Sequence, residues 1–412
     1  MSFAGRIGTA VIGGAPDREL RPAFAVMYVN AVAAWAFLTF QGLWAIERLG
    51  ASAGAVGIAL GIEAFLGAVM GYLGGILSDR LGRKPVFLVA VATQATATAM
   101  LTFLEPGVVA GLVLLVLAGT MAAPAYGVLQ PLVTDMVAAD RHDAGFAAMR
   151  VANNLGLCTG PPLAGLLLIG DDWQLLFGVV SGLLGVTFLL AYRLLPSHPP
   201  HAPEPQAWNR RAWTAVLADR PFLLFLACVV LAAIAFVASE AILPIAAVSV
   251  YGLSPLEFGL LFSLNPISVV LFQIRFSARV EAVPAGRKIV LAMLLMGPPL
   301  LLLTVNHSLP MLVAVILIFV VGEMLWIPTS QVVVAAMAPP QLRGAYLGTA
   351  ASMWSIAFAL GPLIALQLLG RSGDMAMWAF LAGCALAAAP LGVAALRLSV
   401  RLRGEAATSP AT

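Results

Sequence analysis

Charge is what this chain has least of: only 10% of its 412 residues are Asp, Glu, Lys or Arg, against about 25% in a soluble globular protein. Hydrophobic residues make up 61% and the mean hydropathy is +0.99. Too little polar surface remains to cover a water-facing exterior, and a disordered chain needs the opposite composition. A soluble enzyme, a secreted scaffold and a disordered protein are excluded. Cysteine is scarce too: Cys158, Cys228 and Cys384 are odd in number, far apart and each inside an apolar run. They read as core residues, not as a disulfide framework or zinc site. Two of the four histidines, His198 and His201, sit on a proline-rich stretch, too thin a ligand set for a metal.

What is abundant is long apolar runs. A membrane helix needs about 20 mainly apolar residues, and twelve segments meet this: 23–44, 55–77, 86–103, 108–132, 144–169, 175–195, 222–248, 256–276, 289–305, 311–337, 344–369 and 375–396. None alternates polar with apolar residues as barrel strands do. Residues 1–20 carry only a weak apolar stretch, so a cleaved signal peptide is not expected. If both termini are cytoplasmic, Arg48 and Arg371 alone among the 22 Lys and Arg face outward, as the positive-inside rule requires. The expectation is an all-α membrane protein with twelve transmembrane helices, multi-pass in the cell membrane. An N-terminal six-helix bundle spans 1–195, a cytoplasmic linker 196–220 and a C-terminal six-helix bundle 221–412. The linker opens Pro-rich, and 208–219 reads as an interfacial helix.

The halves repeat one another. Gly160-Pro161 in span five matches Gly361-Pro362 in span eleven, and Gly82-Arg83-Lys84 after span two matches Gly286-Arg287-Lys288 after span eight. Parallel repeats of this kind belong to transporters that alternate access to a central site. The first copy, Gly75-Ile76-Leu77-Ser78-Asp79-Arg80-Leu81-Gly82-Arg83-Lys84-Pro85, resembles the signature of the major facilitator superfamily. The resemblance implies the major facilitator fold. It also implies a latch in which Asp79 faces the amino terminus of span eleven, near Gly344, when the cytoplasmic side is shut. A carboxylate there meets the positive end of the helix dipole. Physically, Gly75 and Gly82 are expected to allow close approach and a sharp turn. In the second copy Ala278 stands where an Asp is expected, so the latch is lopsided.

Gly156-Leu157-Cys158-Thr159-Gly160-Pro161-Pro162-Leu163-Ala164-Gly165 resembles the antiporter motif of the same superfamily, with its last glycine one residue late. Gly156 and Gly160 clear a groove for a neighbouring helix, and Pro161-Pro162 removes backbone donors. The Arg that many exporters of this group carry in span four is missing. Arg150 is read as its substitute and Asp135 as the partner of Arg150. Glu323, Glu240 and Glu63 lie inside spans, where a charged carboxylate costs about 2.5–3.5 kcal/mol or more. They are the candidate proton-coupling residues, in that order. Glu323 and Glu240 fit the resemblance to multidrug/proton antiporters, which keep such acids in the second half. Asn30, Trp35, Phe37, Gln41, Tyr126, Gln130, Asn153, Asn154, Asn265, Gln331 and Trp354 are candidates for the substrate cavity; Trp44, Trp173 and Trp378 read as interfacial belts.

The reading is a proton-coupled antiporter exporting lipophilic or amphipathic compounds. Aromatic rings beside carboxylates suit lipophilic cations. Efflux of a sugar or metabolite, or lipid flipping, are the alternatives. The partners are a small-molecule substrate and the bilayer; a monomer is expected, with protons as the coupling ion and no other cofactor, metal or nucleic acid. The sequence has no G-x-x-x-x-G-K phosphate loop, which sets ATP-driven transport by this chain aside.

Overall fold

The computed structural model describes residues 19–104, 106–137, 142–197, 214, 216–339 and 342–408; the side chains of 130, 131, 133–135, 142–144, 147, 343, 344 and 403–408 lie outside that description. Most of the expected interfacial helix at 208–219, with His198 and His201, falls outside the described residues. Helices follow in the order α1 (Arg21–Glu47), α2 (Ala53–Leu81), α3 (Arg83–Phe103), α4 (Val108–Thr120), α5 (Ala122–Met136), α6 (His142–Leu167), α7 (Trp173–Leu194), α8 (Arg220–Ile245), α9 (Pro255–Arg279), α10 (Ala285–Met296), α11 (Pro298–Leu302), α12 (Leu309–Met337) and α13 (Arg343–Thr408). Ten helices among the described residues are long and apolar enough to cross a bilayer. Of the expected spans, α6 is not among those ten, and the last two form the single run α13, kinked at Gly373 where φ is 82°.

Side chains and glycines mark the helix ends. Ser52 Oγ accepts from the Ala55 N–H at 3.2 Å, and Asp172 Oδ1 from Leu175 at 2.8 Å. Ser254 and Glu257 form a reciprocal capping box at the start of α9, with Glu257 Oε2 accepting from the Ser254 N–H at 2.8 Å and Ser254 Oγ from the Glu257 N–H at 3.2 Å. Gly82, at φ 93°, turns the chain from α2 into α3, a conformation that costs a residue with a Cβ dearly. The fourth span is broken at Met121, between α4 and α5.

The chain clusters into two compact units, one made of Met1–Pro205 and Leu243–Leu271, the other of Gln206–Ile242 and Phe272–Thr412. In the first, α1 is buried along most of its length. Phe37, Trp44 and Trp173 gather around Phe177 with ring centroids 6.1, 5.1 and 6.4 Å away. This corrects two expectations. Phe37, 1% exposed, packs in the protein core instead of lining a cavity. Trp44 and Trp173 face protein and not the membrane interface, as does the fully buried Trp378 of the second unit. The indole earns a protein partner where one is offered: Trp173 Nε1 donates to Asp171 Oδ1 at 2.9 Å.

In the second unit small residues let helices close on one another. A Cβ at Gly322 of α12 would lie 2.9 Å from the Ala292 carbonyl of α10, and one at Gly361 of α13 would lie 3.2 Å from the Ala238 Cβ of α8.

Candidate functional site

Around the signature loop, charge is tied down locally. Arg83 pairs with Asp79 at 3.3 Å, one helical turn apart across the Gly82 turn. Lys84 Nζ donates to the Leu195 carbonyl at the end of α7 at 2.9 Å and lies 5.5 Å over the Tyr192 ring, so a cation sits at the negative end of that helix. Ser78, buried, donates to the Gly75 carbonyl at 2.8 Å, and Arg80 is exposed. The turn expected of Gly82 is present. Among the described residues nothing lies within 4 Å of a would-be Cβ at Gly75, whereas Gly74 seats Pro124, 2.9 Å from its own. Arg150 is exposed on α6, and the side chain of Asp135 lies outside the described residues.

The glycines of the antiporter-like motif are contact points. On α6, a Cβ at Gly156 would overlap Ala31 of α1, one at Gly160 would sit 2.8 Å from the Val32 carbonyl, and one at Gly165 would press on Pro255 and Leu256 at the start of α9. The late glycine therefore has its own backbone partner. Pro162 has no N–H for the Cys158 carbonyl one turn back, and Ser263 Oγ of α9 donates to that carbonyl at 2.9 Å. Pro161 in turn lies against Gly259.

The same device recurs beside the favoured acid. Pro328 of α12 leaves the Met324 carbonyl without its helical donor, and Gln273 Nε2 supplies one at 3.2 Å. Glu323 is the neighbouring residue and is half-buried. Glu240 of α8, also half-buried, lies within Coulombic reach of Glu323, and both carboxylates belong to the second unit. Phe236 and Phe319 stand one turn before Glu240 and Glu323 on their own helices, on the same faces. Their rings stack at 6.0 Å, and Trp354 meets Phe236 edge-on at 5.7 Å. Each acid thus follows one ring of this aromatic cluster by one helical turn. Phe236 and Phe319 were not singled out in the sequence; their i, i+4 spacing to the two acids is the signal that points to them.

Glu63 makes a separate site in the first unit. Its Oε1 accepts from Gln41 Nε2 at 3.2 Å, while Glu63 Oε2 and Gln41 Oε1 are buried without a hydrogen-bond partner. The carboxylate lies directly over Gly119, where any Cβ would overlap it, two residues before the α4/α5 break. Thr120 Oγ reaches the Glu63 carbonyl at 3.5 Å.

The other cavity candidates scatter. Asn30 is buried with Oδ1 unpartnered; Trp35, Asn153, Asn154, Asn265 and Trp354 are half-buried, and Tyr126 and Gln331 exposed. The Gln130 side chain is outside the described residues. No group of three His, Cys, Asp or Glu able to hold a metal occurs among the described residues.

Comparison with known proteins closes the identification. The chain is 24% identical over 372 residues to the uncharacterized MFS-type transporter YqjV of Bacillus subtilis, covering 86% of this chain and 87% of that one. It is 21% identical over 363 residues to a Na(+), Li(+), K(+)/H(+) antiporter of Planococcus maritimus, covering 80% and 84%. It is 26% identical over 329 residues to the multidrug resistance protein MdtH of Photorhabdus laumondii, covering 77% and 78%. In fold it resembles the crystal structure of the nucleoside transporter NupG with a TM-score of 0.75 at 15% identity, covering 92% of this chain and all of that one. The model of the Major Facilitator Superfamily matches residues 23–362 and 228–411, and the chain belongs to that superfamily of multi-pass membrane transporters.

Proposed function

We propose that this transporter exports lipophilic or amphipathic compounds, cationic ones foremost, in exchange for protons by alternating access. The observation that carries the reading is the Glu240–Glu323 pair beside the Phe236, Phe319 and Trp354 rings. Two carboxylates inside a membrane are each costly to keep charged, so a bound proton or a bound cation relieves the same cost. Mutual exclusion of proton and substrate at one pair is the minimal chemistry of antiport, and rings supply stacking and cation–π attraction to an organic cation. Glu63, held by Gln41 over Gly119, is a further proton carrier in this scheme.

The relatives named multidrug resistance protein and cation/proton antiporter point in the same direction. The rest of the proposal is architectural: twelve crossings, with α6 as one and α13 as two, arranged as two six-helix bundles, both termini cytoplasmic, in the cell membrane, working as a monomer. Asp79 acts as the latch against span eleven. Efflux of a sugar or other metabolite, or of lipid, is the competing reading, and rings beside paired acids favour the first over these.

The test is proton movement in proteoliposomes. Addition of a lipophilic cation on one side should drive protons the other way in the wild type, and Glu323→Gln should abolish it. Full coupling in Glu323→Gln, or coupling driven by neutral sugars and not by cations, overturns the proposal.

A further inference from the structure

The second copy of the signature loop, Gly286-Arg287-Lys288, has lost the acid that its first copy holds one turn away. Asp79, four residues before Arg83, pairs with it in the first copy, whereas Val283 stands four residues before Arg287 in the second. Lys288 turns aside to the Glu281 carbonyl at 3.3 Å. Arg287 lines a cavity of ≈ 810 Å³ between α10 and α13, together with Arg397 and Arg401. Arg397 and Arg401 are one turn apart, so their side chains share a face of α13. Val290, Leu291 and Leu396 make up the apolar wall. Three arginines and an apolar wall line one groove.

We propose that this groove is a binding site for the phosphate headgroup of an anionic phospholipid, with an acyl chain along Val290, Leu291 and Leu396. Charge complementarity selects the occupant. Arginine forks match phosphate oxygens two at a time, and basic pockets between membrane helices at the cytoplasmic level hold anionic headgroups. A soluble phosphate satisfies the arginines but leaves the apolar wall uncovered; a neutral lipid does the reverse. Plain snorkelling of arginines to the membrane edge needs no groove between two helices.

The experiment uses purified full-length protein in nanodiscs of phosphatidylcholine, with or without phosphatidylglycerol, read by thermal unfolding and by lipid adducts in native mass spectrometry. Phosphatidylglycerol should raise the melting temperature and remain as a bound adduct. Each arginine lost should weaken retention about fivefold, so Arg287→Gln/Arg397→Gln/Arg401→Gln should lose the adduct. Arg21→Gln/Arg193→Gln/Arg279→Gln, with the same change of charge elsewhere, should keep it. Because the groove variant keeps Glu240 and Glu323, its proton-coupled transport in phosphatidylcholine should match the wild type. Should the triple groove variant unfold, the single variant Arg397→Gln carries the test through its loss of retention. Equal retention by groove and control variants, or the same stabilisation from glycerol phosphate without acyl chains, overturns the proposal.

Discussion

At the scale of single residues, the acids in the membrane are placed by what surrounds them. Glu323 and Glu240 share a local environment, and neutralising either should leave the other as a lone carboxyl. Glu323→Gln and Glu240→Gln are each expected to lower proton-driven efflux at least tenfold while substrate-for-substrate exchange survives, measured with the same vesicles under the two regimes. Loss of both activities together would point to a structural role. Phe236→Ala tests the ring wall by a different readout. It should weaken binding of a lipophilic cation by about 0.5–2 kcal/mol and leave binding of a neutral amphiphile nearly unchanged. In the first unit, the Glu63 carboxylate occupies the space a Cβ would need at Gly119. Gly119→Ala should therefore destabilise by about 1–3 kcal/mol through overpacking, seen as a lower melting temperature. The same change made with Glu63→Ala should cost far less, because the colliding group is gone.

At the scale of helices, prolines and glycines act in pairs with donors and backbones elsewhere. Pro162 frees the Cys158 carbonyl and Ser263 takes it; Pro328 frees the Met324 carbonyl and Gln273 takes it. In lipid a freed carbonyl has no water to turn to, so these donors stabilise kinked helices that would otherwise be disfavoured. Gly160→Leu should depress the melting temperature sharply, since its Cβ alone would sit 2.8 Å from the Val32 carbonyl and 3.1 Å from the Trp35 Cβ. Gly185→Ala is the control: open space surrounds it, and helix propensity favours Ala by about 1 kcal/mol, so its stability should hold or rise. A Gly160→Leu protein as stable as wild type would remove the packing account of the motif. The devices themselves were legible in the sequence, and so was the existence of nearly every span, because apolar length and proline chemistry are local. Their partners were not: Ser263 lies 105 residues from the carbonyl it satisfies. Nor does composition say which of two adjacent glycines faces a neighbour, since one residue rotates a helical position by about 100°. That is why the contact expected at Gly75 belongs to Gly74. Aromatic residues near a span end misled for a related reason. Depth in the membrane follows from sequence position, but whether Trp44 turns to lipid or to Phe177 follows from tertiary packing.

At the scale of the whole molecule, the asymmetry between the two copies of the signature loop predicts how the conformational balance is set. Asp79 is partly exposed and its one described ion pair, to Arg83, is an i, i+4 pair at 3.3 Å. Exposed pairs of this kind contribute about 0.3–0.5 kcal/mol, so Asp79→Asn should leave the melting temperature almost unchanged. If the carboxylate also meets the amino terminus of span eleven when the cytoplasmic side is shut, the lost interaction is about 0.3–1 kcal/mol, and up to about 2 if partly buried. That acts on one state only, and so shifts the ratio of outward-facing to inward-facing molecules by about 2-fold to 30-fold. The shift is measurable by labelling of single cysteines introduced on the cytoplasmic side, on a background in which Cys158, Cys228 and Cys384 are replaced by Ser. Greater cytoplasmic accessibility with an unchanged melting temperature is the expected result. Val283→Asp should restore an acid to the second copy and move the balance back toward the outward-facing state when combined with Asp79→Asn. Unchanged labelling in Asp79→Asn would show that this carboxylate serves the local pair with Arg83 and no latch at all.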